Sequence, residues 1–387
     1  MPTSKQSIVP NTADFSESPI EIGIATTPEE KRAVYQFRYQ TYVEEMSKHL
    51  EDIDYEQKLL CDELDEWTIL LYAKMGSQII ATARINIGNT KDFPAKVVHI
   101  LSLKRFESYY PEHENPRFAY VTKLMVAAPH RRSPVLYLLI AHCYEICCSN
   151  QIQFAFGGCN FHLIRLYEQM GFHHYGNNFV YPGYGLLTPL VLVINDIHHL
   201  RKVRSPLFRI ARKRKDVNLQ AVEWFYENFP EYSHTINTQL VSEEELWSAL
   251  GKRLNCSPLE AISLLRGLPE GEAKRFLHSC ANLIQCGKGD VITNQGDLSY
   301  SYTILLSGEL KSLTFHNPAR SYVSGQHFGA NGLTEHHKHT ETIAAVIPAE
   351  ILVISGMAFP RFFHAAPDIA HKIVRKINDL TKKASNS

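Results

Sequence analysis

The chain has 387 residues, enough for two or three domains at ~150 residues each. Apolar residues make up 44% and charged residues 21%, which excludes a disordered or fibrous class. Lysine plus arginine and aspartate plus glutamate both total 40, so no charge excess points to a polyanionic partner, and the eight scattered cysteines lack the spacing of a disulfide framework or a zinc site.

Residues 1–19 are polar and carry Ser, Thr and Pro, the composition of a loose arm. Residues 20–25 read as a first strand. Thr27-Pro28-Glu29-Glu30 opens a helix with acidic residues in its first turn, and the helix continues through Val34, Phe37, Arg38 and Tyr42. Residues 51–66 hold eight acidic residues and one lysine, a run that ordinarily marks a solvated face. Asp62 and Asp65 stand apart from it because they lie just before a strand at 68–74. Gly76-Ser77 then turns the chain into a second strand at 78–87, which bears Arg84. The apolar run at 119–127 predicts a buried strand. Ser133 and Pro134 fit the N-cap and first position of a helix with Leu136, Leu139 and Ile140 on one face. The unpaired N–H groups and macrodipole of such a helix favour an anion, and Arg131 and Arg132 add positive charge at its mouth. Phe154-Ala155-Phe156 is a short strand, and 163–172 a helix stopped by Gly171. The helix face and the Phe154/Phe156 strand fit an acyl tunnel and a plain core equally well.

The stretch 117–172, closing on Leu166-Tyr167-Glu168-Gln169-Met170-Gly171-Phe172, resembles the core of a GNAT-type N-acyltransferase. The resemblance implies a mixed α/β sheet with flanking helices. It also implies a thioester donor held by Leu124, Val126, Arg131, Arg132, Ser133 and Val135, with backbone N–H groups near Leu124 to Val126 facing the oxyanion. The family's loop reads Arg/Gln-x-x-Gly-x-Gly/Ala, and both glycine positions are filled otherwise here. That departure favours a donor with a single phosphate, the phosphopantetheine arm of an acyl-carrier protein, over a full pyrophosphate, with acyl-CoA as the alternative co-substrate. Tyr167 matches the tyrosine that protonates the leaving thiolate in this family; a packing role is the competing reading.

Phe37-Arg38, Asp62-Glu63-Leu64-Asp65 and Ala83-Arg84-Ile85 resemble, more narrowly, the acyl-homoserine-lactone autoinducer synthases and the related N-acyl amino acid synthases. By that resemblance Arg38, Asp62, Asp65 and Arg84 form a charge cluster beside the acceptor site; an ion-pair network without ligand contact is the alternative. The family's Glu-x-x-Arg pair falls on Tyr120 and Lys123, so its usual general base is absent. Tyr120, a water or a nearby carboxylate is left to take the proton from the amine.

Residues 201–215 carry eight Lys/Arg among Pro206, Leu207, Phe208 and Ile210. They read either as a contact for an anionic membrane surface or as a basic linker lying on the acidic 51–66 face; nucleic acid is not expected, because no reader motif accompanies the patch. A basic and helical linker is expected over 201–267, with Ser242-Glu243-Glu244-Glu245 as a capping box. Residues 268–380, with glycine-punctuated short strands, resemble a cyclic-nucleotide-binding domain: a small β-roll with closing helices, followed by a tail at 381–387. Its phosphate cassette is degenerate. Gly329-Ala330 lacks the ribose-binding glutamate, and His339-Thr340 has histidine where arginine pairs the phosphate, so cyclic AMP is expected to bind weakly or not at all.

The chain is thus expected to be α/β over 20–200 and to move an acyl group to a free amine, an amino acid foremost, without a metal. Its partners are an acyl-carrier protein and a small amine, with the C-terminal domain as a platform for oligomers. The rival readings are a cyclic-nucleotide-regulated protein-lysine acetyltransferase and a non-catalytic lipid-binding scaffold. No apolar stretch reaches the ~20 residues of a membrane span and no charged, apolar leader opens the chain, so a cytoplasmic location is expected, peripheral at the inner membrane face if the basic patch engages lipid.

Overall fold

Alternating hydrophobicity organises the first half of the chain around one sheet. The structure, a computed structural model, describes residues 19–131, 133–230, 236–314 and 320–385; Arg132 lies outside them. In chain order come β1 (Ile20–Ile24), α1 (Pro28–Tyr39), a π-helical turn (Gln40–Glu45), the hairpin β2 (Ile53–Asp54) and β3 (Leu59–Leu60), β4 (Ile69–Met75) and β5 (Gln78–Gly88). Then follow α2 (Ala95–Ile100), α3 (Leu103–Glu107), β6 (Phe118–Val126), α4 (Val135–Ser149), β7 (Phe154–Cys159), α5 (Ile164–Met170), β8 (His173–His174), β9 (Phe179–Tyr181) and β10 (Gly185–Val193). The sheet runs β1-β4-β5-β6-β7-β10-β8, with β9 also on β10. Only the β6–β7 pairing among these is parallel.

Side-chain alternation separates two cores. Ala155 and Cys159 of β7 and Leu190 and Leu192 of β10 face α4, where they meet Leu139, Ile140 and Cys143. Phe154, Phe156, Val191 and Val193 face the other way, into an aromatic cluster with Phe106 of α3 at its hub. Each of these phenyl rings is fully buried, worth about 1.5–3 kcal/mol apiece. Phe154 and Phe156 are therefore core, not the wall of a tunnel, and the same holds for Leu139 and Ile140. The α2 and α3 helices were not foreseen from the sequence.

The helix α4 starts one residue later than expected, at Val135, with Pro134 at the cap. A 3-10 turn over Ala128–His130 tightens the approach, and the Ser133 hydroxyl is turned to donate to the His130 carbonyl at 2.8 Å while accepting the Val135 N–H at 3.3 Å. Gly171 ends α5 at φ +106°, where an added Cβ would stand 2.3 Å from Leu200.

Beyond the sheet, α6 (Ile197–Lys202) and α7 (Phe208–Ala211) carry the basic segment. Leu207 and Ala211 join the first core, whereas Arg201, Lys202, Arg204, Arg209, Arg212, Lys213 and Lys215 are exposed. The segment packs on its own sheet; Arg214 pairs with Asp216 and Asn195, and the carboxylates of Asp62 and Asp65 are engaged elsewhere. Next come α8 (Gln220–Asn228), α9 (Glu243–Leu254), which starts on the expected Ser242–Glu245 capping box, α10 (Pro258–Ala261) and α11 (Glu270–Cys280).

The C-terminal half is a β-roll of two four-stranded antiparallel sheets. Its strands are β11 (Ala281–Cys286), β12 (Val291–Thr293), β13 (Ser301–Ser307), β14 (Leu310–Ser312), β15 (Ser321–Tyr322), β16 (His327–Phe328), β17 (Ile343–Ala345) and β18 (Ala349–Ser355). The sheet orders are β11-β18-β13-β16 and β12-β17-β14-β15, and α12 (Phe359–Ala365) and α13 (Pro367–Ser385) close the roll. The two halves share an apolar cluster, in which Leu190 and Leu192 belong with Ile284, Cys286 and Leu305. Polar contacts cross the same seam: Asn282 donates to the buried Glu168 carboxylate at 2.8 Å, Ser355 to the His162 carbonyl at 2.7 Å, and Asn178 to the Gln285 carbonyl at 2.8 Å.

Candidate active site

Local rules place each charged residue. A reciprocal capping box between Thr27 and Glu30 starts α1 and carries Arg38 to its last turn, where it is buried. The Asp-x-x-Asp spacing makes a second reciprocal cap: Asp62 accepts the Leu64 N–H at 3.0 Å, and Asp65 accepts the Asp62 N–H at 3.0 Å. Both carboxylates then point at the strand that carries Arg84. Asp65 receives Arg38 at 2.8 and 2.9 Å and Arg84 at 3.0 Å; Asp62 receives Arg84 and, at 3.3 Å, the Lys123 ammonium. Arg84 is also held by Thr122, which accepts from its Nε at 2.8 Å. The four residues expected to cluster do so, and Lys123 joins them.

Lys123 reaches the cluster through a β-bulge. Thr82 pairs with Met125 and Arg84 with Thr122, so Lys123 and Leu124 together stand opposite Ala83. Lys123 takes up the offset with φ +51°, a left-handed conformation that costs a non-glycine residue about 1–3 kcal/mol. Its Nζ donates to the Tyr184 hydroxyl and lies 4.8 Å from that ring's centre. Burial lowers the Lys123 ammonium to about 8, with Arg84 and Arg38 pushing the same way and Asp62 resisting. For Asp62, burial acts against the charge, but Arg84 and Lys123 prevail and hold it below the usual carboxylate range. Three cations (Arg38, Arg84, Lys123) thus face two carboxylates (Asp62, Asp65).

The bulge opens onto a split in the sheet. Strands β6 and β7 pair only at Ala119–Ala155 and Tyr120–Phe156. Past that point β6 stays with β5 and β7 with β10. The gap holds a cavity of about 110 Å3 walled by Tyr42, Tyr120, Lys123, Cys159, Tyr167 and Tyr184, with Arg84 and Leu124 also at its lining. Sites for small molecules commonly measure about 300–1,000 Å3, so this cavity is smaller than such a site. On the far side of Asp62 and Asp65 lies an open acidic groove of about 1010 Å3 bordered by Glu51, Asp52 and Glu66.

Several expected roles change. Burial pushes the Tyr120 phenol well above its ordinary range, so at neutral pH it is protonated and no proton acceptor. Tyr167 lines the cavity, and burial likewise keeps its phenol protonated. On the donor side, Leu124 borders the cavity, but the Val135 side chain is fully buried and its N–H is taken by Ser133. The Val126 carbonyl accepts from Arg131 at 3.1 Å, and the Arg131 guanidinium is paired with Glu45, so its charge at the helix mouth is partly neutralised. The expectation for Arg132 falls outside the described residues.

Tyr42, Tyr181 and Tyr184 were not foreseen. Tyr181-Pro182-Gly183-Tyr184 reads in sequence only as a turn. Gly183, at φ +73°, presses on His49 and Leu50, where a Cβ would stand 2.6 Å from the His49 carbonyl, and this seats Tyr184 over the cleft. A local signal existed in that glycine; the contact to Lys123, 61 residues away, left none.

In the C-terminal roll, His339 occupies its own phosphate cassette. The Ala330 N–H donates to His339 Nδ1 at 2.9 Å, and Gly329, at φ +73°, would bring a Cβ within 2.9 Å of the same ring. Burial lowers the imidazole, opposed by Asp297, so it is neutral and serves as acceptor. Thr340 is exposed, and Glu341 is occupied by the Tyr322 hydroxyl at 2.7 Å. The residues present do not fit a cyclic phosphate: the Ala330 N–H that would hold it is taken by His339, and histidine stands where a guanidinium would pair with it.

Residues 33–195 match the family model for the N-acyl amino acid synthase FeeM, and residues 283–365 match that for the cyclic nucleotide-binding domain. Among solved structures, FeeM, an N-acyl amino acid synthase from uncultured soil microbes, is similar at 13% identity, covering 50% of this chain and 98% of that one with a TM-score of 0.39. The AHL synthase LasI is similar at 12% identity over 46% of this chain and 91% of that one, with a TM-score of 0.35. A cyclic nucleotide-binding domain from Methylobacillus flagellatus aligns at 15% identity over 36% and 79%, with a TM-score of 0.30. No curated protein sequence matches.

Proposed function

With an acyltransferase domain of the N-acyl amino acid synthase family at residues 33–195 and a cyclic nucleotide-binding domain at residues 283–365 as the premise, we propose that the protein moves an acyl chain from a thioester to the α-amine of an amino acid. The donor is the phosphopantetheine arm of an acyl-carrier protein, with acyl-CoA as the alternative. The observation that carries this reading is the placement of Lys123: buried, lowered to about 8, and set on a bulge at the mouth of the split between β6 and β7.

The chemistry follows from that placement. An amino acid arrives as an ammonium, attracted by the acidic groove at 51–66. Its carboxylate is matched by the cation that the cluster of Arg38, Asp65, Arg84, Asp62 and Lys123 gains when Lys123 takes up a proton. Neutral Lys123 takes one proton from the ammonium, and the freed nitrogen lone pair attacks the thioester carbonyl carbon. Backbone N–H groups of the strand past Lys123 face the developing oxyanion. Collapse forms the amide and expels the thiolate, which takes the Tyr167 phenolic hydrogen; the second proton leaving the nitrogen restores that phenol, and Lys123 returns the first to solvent. The products are the N-acyl amino acid and the free pantetheine thiol.

The test is turnover. Incubating the full chain with acyl-carrier-protein thioester, acyl-CoA or acetyl-CoA and a mixture of amino acids should give a new amide mass with a long-chain donor. Product only on protein lysines would move the reading to a lysine acetyltransferase, and no amide with any donor would overturn it. Cyclic AMP at millimolar concentration should leave the melting temperature unchanged, because His339 holds the Ala330 N–H. A concentration-dependent rise would show that the cassette opens.

A further inference from the structure

We infer that His173, Asp196 and His199 form a binding site for a divalent transition ion of the zinc type, separate from the acyl-transfer cleft. Among the described residues, each of these three offers a ligand atom, and the atoms lie within 4.8 Å of one another. They come from two elements: His173 from β8, and Asp196 and His199 from the cap and first turn of α6.

The cluster leaves work undone without an ion. His173 Nε2 and His199 Nε2 are buried and have no hydrogen-bond partner. His199 is 5% exposed, so its unpartnered nitrogen is shut away from solvent. His173 Nε2 stops 3.6 Å from Asp196 Oδ2, too far for a bond, and the two imidazole rings lie 3.9 Å apart between centres. One cation would engage both nitrogens and the carboxylate at once. With ligands at about 2.0–2.1 Å in a tetrahedron, the donor atoms would draw in to about 3.4 Å of each other, closing by up to about 1.4 Å from the present spread of 4.8 Å.

The surroundings are those of a held ligand. Asp196 Oδ1 accepts the His199 N–H at 2.9 Å, and Oδ2 accepts the Tyr226 hydroxyl at 2.9 Å. Such partners orient a metal-binding carboxylate. Imidazole with a single carboxylate selects zinc-like ions over magnesium or calcium. Val193, just before the site, pairs with Phe154 at the start of β7, whereas the cleft residue Cys159 ends that strand. At about 3.3 Å per residue the site is some ~17 Å from the reacting centre. Its effect is therefore structural: through Tyr226 it ties α8 to the end of the sheet.

Chelator-stripped full chain is titrated with cobalt and zinc chlorides. A single equivalent should bind, with the visible bands of tetrahedral cobalt and without the near-ultraviolet band of a thiolate, and zinc should raise the melting temperature. His199→Gln should weaken zinc binding more than about 100-fold and Tyr226→Phe about 10-fold. The inference is overturned if wild type shows neither the cobalt bands nor a thermal shift, or if His199→Gln binds as tightly as wild type. Should His199→Gln fail to fold, the wild-type cobalt spectrum and Tyr226→Phe decide: unchanged affinity in Tyr226→Phe together with thiolate bands would assign the metal to cysteines and end the proposal.

Discussion

Replacing Lys123 by arginine should lower kcat/KM by about 10²–10⁴-fold, the range a positioned proton acceptor contributes. Arginine keeps the positive charge beside Asp62 and fills similar space, but a guanidinium does not lose its proton at any working pH. The pH profile separates this role from a merely structural one. Lys123 is lowered to about 8, so below that pH its neutral fraction rises roughly tenfold per unit. Wild-type kcat/KM should therefore climb with pH and level off above about 8. In Lys123→Arg the residual activity should lack that limb. If the variant retains both the rate and the rise, the limb belongs to the acceptor amine's own titration, and Lys123 is no base.

Replacing Asp65 by alanine should cost about 3–5 kcal/mol of folding stability. This carboxylate alone receives both buried guanidiniums, Arg38 and Arg84, together with the Asp62 N–H. Arg38 is wholly buried, and its Nε and NH2 already lack partners. Removing Asp65 leaves Arg38, Arg84 and Lys123 with Asp62 as the cluster's single carboxylate and frees the turn that aims it. Urea unfolding followed by fluorescence should show a lower midpoint at unchanged slope. A loss under about 1 kcal/mol would mean that water reaches the cluster and stands in for the carboxylate.

What the sequence disclosed about this site follows from how each residue is fixed. Arg38, Asp62, Asp65 and Arg84 are set by local rules, namely two capping boxes and a strand following a turn, and such rules leave their mark in spacing. Tyr167 was placed by the helix that Gly171 stops. Lys123 could be picked out, but not its left-handed backbone, because the bulge arises from pairing with a strand some forty residues earlier. The α2 and α3 helices were invisible for another reason: they are six and five residues long and have no side-chain cap, and Ser102 between them is itself left-handed. The aromatic hub at Phe106 then made Phe154 and Phe156 into core, where periodicity alone left a tunnel equally open.

The amide of Asn282 lying against the Glu168 carboxylate governs how this molecule behaves when heated. Neither half is finished at that boundary, since each lends the other both grease and a polar partner. The pair should melt as a unit, and a gene cut between them would yield two products with bare flanks. Swapping in a foreign C-terminal module would demand replacements for every polar contact across the seam, the Asn282 amide among them.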